Sequence, residues 1–130
     1  MAAFKIENGV LIHYKGHDAL AEIPEGVTDI GHASFEGCKN LKKVVIPASV
    51  RYIKPKAFSG CESLESIELP VGLKEIGFNA FEFCGSLKSI NIPNRVQSIF
   101  GVFNGCKSLE NLIIPDEVTS ISEYTFCDCV

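Results

Sequence analysis

The chain has 130 residues, a hydrophobic fraction of 46%, a charged fraction of 22% and a formal net charge of -4. That length supports one domain around one continuous core, and an acidic chain with no basic stripe to neutralise phosphates argues against a nucleic-acid partner. No apolar run approaches the roughly 20 residues of a membrane span, so membrane insertion is not expected.

Residues 1–9, MAAFKIENG, lack the basic and apolar regions of a signal peptide, and neither end carries a lipidation signal. Neither a leader nor an anchor is therefore expected in the chain as written. Asn8-Gly9 lies between two apolar-rich runs within residues 4–12. Both central residues of a type I′ turn need positive φ, which Asn and Gly adopt at least cost, so the pattern predicts a two-residue hairpin. Residues 1–19 are read as this hairpin, capping the first coil, plus a lead-in.

From residue 20 a repeat sets in. Pro24, Pro47, Pro70 and Pro93 fall 23 apart, and Pro115 follows 22 later. Cys38, Cys61, Cys84, Cys106 and Cys129 keep the same phase, as do Phe35, Phe58, Phe81, Phe103 and Phe126. Three residue types in one phase mark about five stacked units over residues 20–130 of a single domain. Within a unit, Ile67-Glu68-Leu69 alternates apolar and polar, which predicts a half-buried strand. Pro70 then ends the ladder, having no N–H to donate. A second short apolar-spaced piece, Leu73-Lys74-Glu75-Ile76, follows. The small residue, Phe and Cys that come next predict a helical or 3₁₀ turn closing the coil. No unit can bury its apolar set alone, whereas units stacked about 4.8 Å apart bury all of them together. The phenylalanines are expected to form one interior column. Ile99 and Phe103 are one residue closer than Ile76 and Phe81, so one residue is missing on the turn side, where solenoids tolerate length changes.

The pattern Leu-x-x-Val/Ile-x-Ile-Pro, Val-x-x-Ile, Ala-Phe-x-x-Cys over residues 20–130 resembles the BspA-like leucine-rich repeats, a family known for bacterial surface antigens. Val10-Leu11-Ile12-His13-Tyr14 resembles that family's N-terminal lead-in. The resemblance implies an α/β-type leucine-rich-repeat solenoid, mostly β, coiled right-handed, with a parallel sheet on its concave face. It also implies adhesion or protein recognition at the cell surface or in secreted form.

Chemistry is hard to find. Five of the six cysteines share one repeat position. Stacked cysteines would hold their Cβ vectors parallel, a poor geometry for a bridge, so the first reading is a ladder of buried free thiols. A disulfide involving Cys127 or Cys129, or a metal at Cys127-Asp128-Cys129, stays as an alternative. His13, His17 and His32 read as surface residues. No catalytic motif, metal set or cofactor fingerprint is present. Gly37, Gly60 and Gly105 fall before the repeat cysteine, where positive φ is expected.

What remains is surface. Strand positions facing away from the core make two columns: Leu20, Lys43, Ser66, Ser89 and Asn111, and Glu22, Val45, Glu68, Asn91 and Ile113. They vary where the core positions do not, so the candidate protein-binding face is Glu22, Lys43, Val45, Ser66, Glu68, Ser89, Asn91, Asn111 and Ile113. A second candidate is an apolar patch of Phe78, Phe83 and Phe100, which stand where a neighbouring unit has Pro55, Gly60 and Gly77. The expected function is a non-catalytic scaffold for another protein. A structural unit, or a fragment of a longer array that dimerises through the exposed apolar end of its last coil, is the alternative.

Overall fold

The computed structural model describes residues 3–115, 118 and 120–121. Its strands are β1 (Phe4–Glu7), β2 (Val10–Tyr14), β3 (Leu20–Glu22), β4 (Asp29–Ile30), β5 (Lys43–Val45), β6 (Tyr52–Ile53), β7 (Ser66–Ile67), β8 (Glu75–Ile76), β9 (Ser89–Asn91), β10 (Ser98–Ile99), β11 (Asn111–Ile113) and β12 (Ser120–Ile121).

Each coil contributes one strand to each of two sheets. The alternating Ile-x-Leu/Ile pieces form a five-stranded parallel sheet in the order β3, β5, β7, β9, β11. The second apolar-spaced pieces, whose structure the sequence leaves open, pair in the same way. β4, β6 and β8 are parallel and in register, with Ile30 beside Ile53 and Ile53 beside Ile76. Identical spacing in successive units puts identical groups opposite one another, so the ladder extends itself coil by coil. At the corner between the sheets each proline carbonyl accepts from the residue three ahead, as in Leu73 N to Pro70 O at 3.0 Å and Val96 N to Pro93 O at 3.1 Å.

The N-terminal hairpin joins the second sheet. β1 and β2 are antiparallel, and Asn8 and Gly9 have φ of 51° and 80°, as a type I′ turn requires. β2 then pairs parallel with β4. Tyr14 and Phe4 continue the aromatic stack beyond the first repeat.

The third side is built from turns. Among the described residues there is no helix, and the hydrogen bonds explain why the expected helical or 3₁₀ turn does not form. The N–H groups of Ser34, Glu36 and Cys38 bond back three residues within their own coil, to Gly31, Ala33 and Phe35. Those of Ala33, Phe35 and Gly37 point instead to Pro55, Ala57 and Ser59 in the next coil. A helix needs every N–H in succession for itself; here alternate donors tie the coils together. Positive φ recurs at Ala33, Lys56, Asn79 and Gly101, and again at Gly37, Gly60, Phe83 and Gly105. The second set is the expected glycine column, with Phe83 as the exception at φ 59°.

The core is one continuous cluster. Phe35, Phe58, Phe81 and Phe103 are fully buried and stack in one interior column, with centroids 4.8, 5.3 and 6.2 Å apart. Tyr14 lies 4.9 Å from Phe35, and Phe4 lies 5.1 Å from Tyr14. Phe126 is outside the described residues.

The missing residue leaves a visible trace. Phe100 O accepts from Asn79 N at 3.2 Å, just as Phe78 O accepts from Lys56 N and Pro55 O from Ala33 N. Phe100 is therefore level with Phe78 and Pro55, not with Gly77 as the count of residues suggests; the lost residue is the counterpart of Gly77. At this coil the second sheet is interrupted: its five-stranded part ends at β8, and β10 pairs with β12 in a separate two-stranded piece.

Candidate protein-binding surface

A strand turns alternate side chains to opposite faces. In β5 this buries Val44 and exposes Lys43 and Val45; β3 likewise buries Ala21 between exposed Leu20 and Glu22. The pairing register aligns Leu20, Lys43, Ser66, Ser89 and Asn111 across all five strands. Glu22 stands beside Val45, and Asn91 beside Ile113. All these side chains are exposed except Ser89, which is half-buried. Between the columns run shallow depressions, one of about 510 Å³ over Ser66, Glu68, Ser89 and Asn91 and one of about 250 Å³ over Lys43, Val45, Ser66 and Glu68. The face is mixed: carboxylates and amides alternate with exposed Leu20, Val45 and Ile113.

The second candidate surface divides. Phe78 and Phe100 meet, with ring centroids 5.8 Å apart and planes at 54°. They are 60% and 37% exposed and line a cleft of about 320 Å³ between β8 and β10. Phe83 lies elsewhere on the turn side, its ring against Gly105, where an added Cβ would come within 2.5 Å of it. A bulky residue at positive φ is uncommon, and the ring's cover over the glycine of the next coil is what the structure shows there.

Sequence reasoning missed a third feature. His13, His17, Tyr14, Asp18, Glu36 and Cys38 line a cleft of about 530 Å³ at the N-terminal end. Residues one repeat apart close it, as in Asn40 Nδ2 donating to His17 O at 3.3 Å. The 23-residue beat, carried back into the lead-in, could have paired these two segments. Burial, Asp18 and Cys38 raise the Tyr14 phenol, and burial raises the Cys38 thiol. Among the described residues no group of three His, Cys, Asp or Glu side chains is placed to hold a metal.

The remaining described thiols belong to the core. Cys61, Cys84 and Cys106 are buried. Each Sγ donates to a phenylalanine carbonyl of the preceding coil: to Phe35 O at 3.2 Å, to Phe58 O at 3.2 Å and to Phe81 O at 3.1 Å. The ladder is thus more than apolar filler, because it gives those carbonyls a second donor. Burial, with the neighbouring Cys38, pushes the Cys61 thiol up to about 12, and burial also raises Cys84 well above the ordinary value. Thiols held neutral in this way are inert. Cys127 and Cys129 lie outside the described residues.

The family described as BspA type leucine rich repeat region matches residues 19–130 in six copies. The chain belongs to the BspA-type leucine-rich repeat family. Among solved structures, a leucine rich cell surface protein from Faecalibacterium prausnitzii is 38% identical with a TM-score of 0.89, covering 92% of this chain and 32% of that one. This chain thus spans about a third of that relative's length. A leucine rich repeat protein of T. pallidum is 25% identical with a TM-score of 0.58, over 86% of this chain and 77% of that one. One from Eubacterium ventriosum shares the fold, at 23% identity and a TM-score of 0.69, over 95% of this chain and 41% of that one. Comparison with curated proteins finds no match. Among the described residues no helix is long and apolar enough to cross a membrane.

Proposed function

We propose that this BspA-type chain is a non-catalytic scaffold that recognises another protein through the outward face of its five-stranded sheet. The observation that carries the reading is the contrast along each strand. Inward positions stay apolar from coil to coil, as Ala21, Val44, Ile67, Ile90 and Leu112, whereas the aligned outward column runs Leu20, Lys43, Ser66, Ser89, Asn111. Packing explains the inward set and places no demand on the outward one, so the outward set is free to serve a partner. The cell-surface description of the Faecalibacterium relative supports a role at the surface or in secreted form. Purified chain immobilised as bait is expected to retain a defined partner and to lose it on Glu68→Arg or Asn91→Arg. Retention unaffected by both changes would move the site off this face.

A second reading rests on one observation: the chain spans 32% of the Faecalibacterium relative. It treats the chain as a segment of a longer array, in which the last coil meets further repeats or a second copy. Light scattering that shows a monomer at every concentration would remove the second-copy form. Most of that last coil lies outside the described residues.

A further inference from the structure

The cleft between β8 and β10 has features that the repeat does not require. Phe78 stands level with Pro55, and Arg95 stands where the neighbouring coils have Gly72 and Ser49. The frame is thus satisfied by smaller groups at both places. Phe78 is 60% exposed and leans on Phe100, so two rings share an open apolar surface beside the interruption in the second sheet. Paired rings at this separation attract one another, but the contact leaves most of Phe78 in water, where burial by a partner would be favourable. The cleft of about 320 Å³ is at the small end of ligand pockets, which run from about 300 to 1,000 Å³; it suits a side chain better than a whole small molecule.

Charge selects the occupant. The chain is acidic overall, at -4. The charged side chains lining this cleft are Lys74, Arg95 and the single carboxylate Glu75, all exposed. Neither Lys74 nor Arg95 forms an ion pair among the described residues. Lys54, by contrast, is engaged by Asp29 at 3.6 Å and lies over the Tyr52 ring. From Pro55 through Phe78 to Phe100 the ring-bearing edge crosses two coil steps, about 10 Å at the usual strand spacing, which matches about three residues of extended chain.

We propose that the Phe78–Phe100 cleft captures a short extended segment of a partner protein, seating one aromatic side chain on the two rings and pairing flanking carboxylates with Lys74 and Arg95. This deepens the protein-recognition reading and rests on it, while assigning contact to the second sheet's side of the solenoid.

The test uses the full chain and three synthetic peptides: one with a tyrosine flanked by aspartates, one with the same tyrosine flanked by lysines, and one with the aspartates and alanine in place of tyrosine. Amide chemical shifts followed during titration report both affinity and place. The aspartate–tyrosine peptide is expected to move the resonances around Phe78, Phe100 and Arg95 and to bind about tenfold more tightly than either other peptide. Phe78→Ser and Arg95→Glu, both at exposed positions, should each abolish that preference while leaving the thermal transition in place. Added salt should weaken the binding. Equal binding of the three peptides, shifts confined to Ser66, Glu68 and Asn91, no shifts at all, or a stronger response of the cleft to cellohexaose would each overturn the proposal. If a partner retained on the column is lost with Glu68→Arg yet survives Phe78→Ser, the cleft assignment falls and protein recognition stands. No retained partner and no peptide response would remove both.

Discussion

The two sheets of the solenoid tolerate irregularity differently. The first runs unbroken through β3, β5, β7, β9 and β11, whereas the second is interrupted between β8 and β10. Both are made of short strands with the same stacking. The difference is that the first is bounded by proline corners of constant length between residues 20 and 93, while the second feeds directly into the turn side, where one residue is missing beside Phe100. A strand has a strict period of two, so it cannot absorb a length change without turning its core face outward. A turn can absorb one, and here the adjustment stops at the corner: Phe103 stays fully buried and in the column with Phe81.

That contrast predicts a steep asymmetry under insertion. One residue inserted between Ser89 and Ile90 would send Ile90 and Ile92 to opposite faces from their neighbours' equivalents, and the cooperative urea transition is expected to disappear. A glycine inserted between Ile99 and Phe100, restoring the counterpart of Gly77, should shift stability by only about 1 kcal/mol, the scale of a small loop change. Equal loss at both sites would break the comparison.

Next in size is the aromatic column that both sheets enclose. Phe58 is fully buried, with rings at 4.8 and 5.3 Å on its two sides. Phe58→Ala should cost about 3–5 kcal/mol through lost burial and a cavity, read from urea denaturation. A cost below that of replacing half-buried Leu109 would contradict the column's place at the centre.

Alkali provides a gentler probe. Cys61 titrates near 12 in the folded chain, against 9.0 for an ordinary thiol, chiefly because of burial. The folded state therefore holds its proton where the unfolded state releases it, so the stabilisation from this group is complete below pH 9.0 and is lost as pH rises towards about 12. Stability should fall across that window, and less steeply in Cys61→Ala. Alkylation at pH 8 should leave Cys61 and Cys84 unmodified until denaturant is added.

A further expected effect has the opposite sign. Ser34 is fully buried, and its hydroxyl has no hydrogen-bond partner among the described residues. The next two coils carry Ala57 and Ala80 there, also fully buried. Relieving an unmet hydroxyl is worth about 1–3 kcal/mol, so Ser34→Ala should raise the melting temperature. Outward Ser66→Ala should stay within about 0.5 kcal/mol of the parent chain.

Much of this was legible in the sequence. Phases of Pro, Cys and Phe announce the coil, and the alternation in Ile67-Glu68-Leu69 separates core from surface, because periodicity reports which way a side chain points. The Asn8-Gly9 turn was readable because few residue pairs accept positive φ twice. Other features were not. The level of Phe100 could not be counted off, since the sequence says that a residue is missing but not which one. The turn side read as helical from its composition; only the partners of alternate N–H groups show that the coils share them. The N-terminal cleft escaped because it joins the lead-in to the first repeat, segments that share no motif and are linked only by the 23-residue spacing, as between His17 and Asn40.

A recurring apolar frame determined by itself that this chain winds into stacked coils, since no single unit could remove its own hydrophobic surface from water. Neighbouring coils alone decided the rest: which carbonyls receive the thiol hydrogens, where the second sheet parts, and that Phe78 and Phe100 stand side by side. Those outcomes depend on hydrogen bonds and contacts between residues about one repeat apart, whose geometry exists only once the coils are stacked.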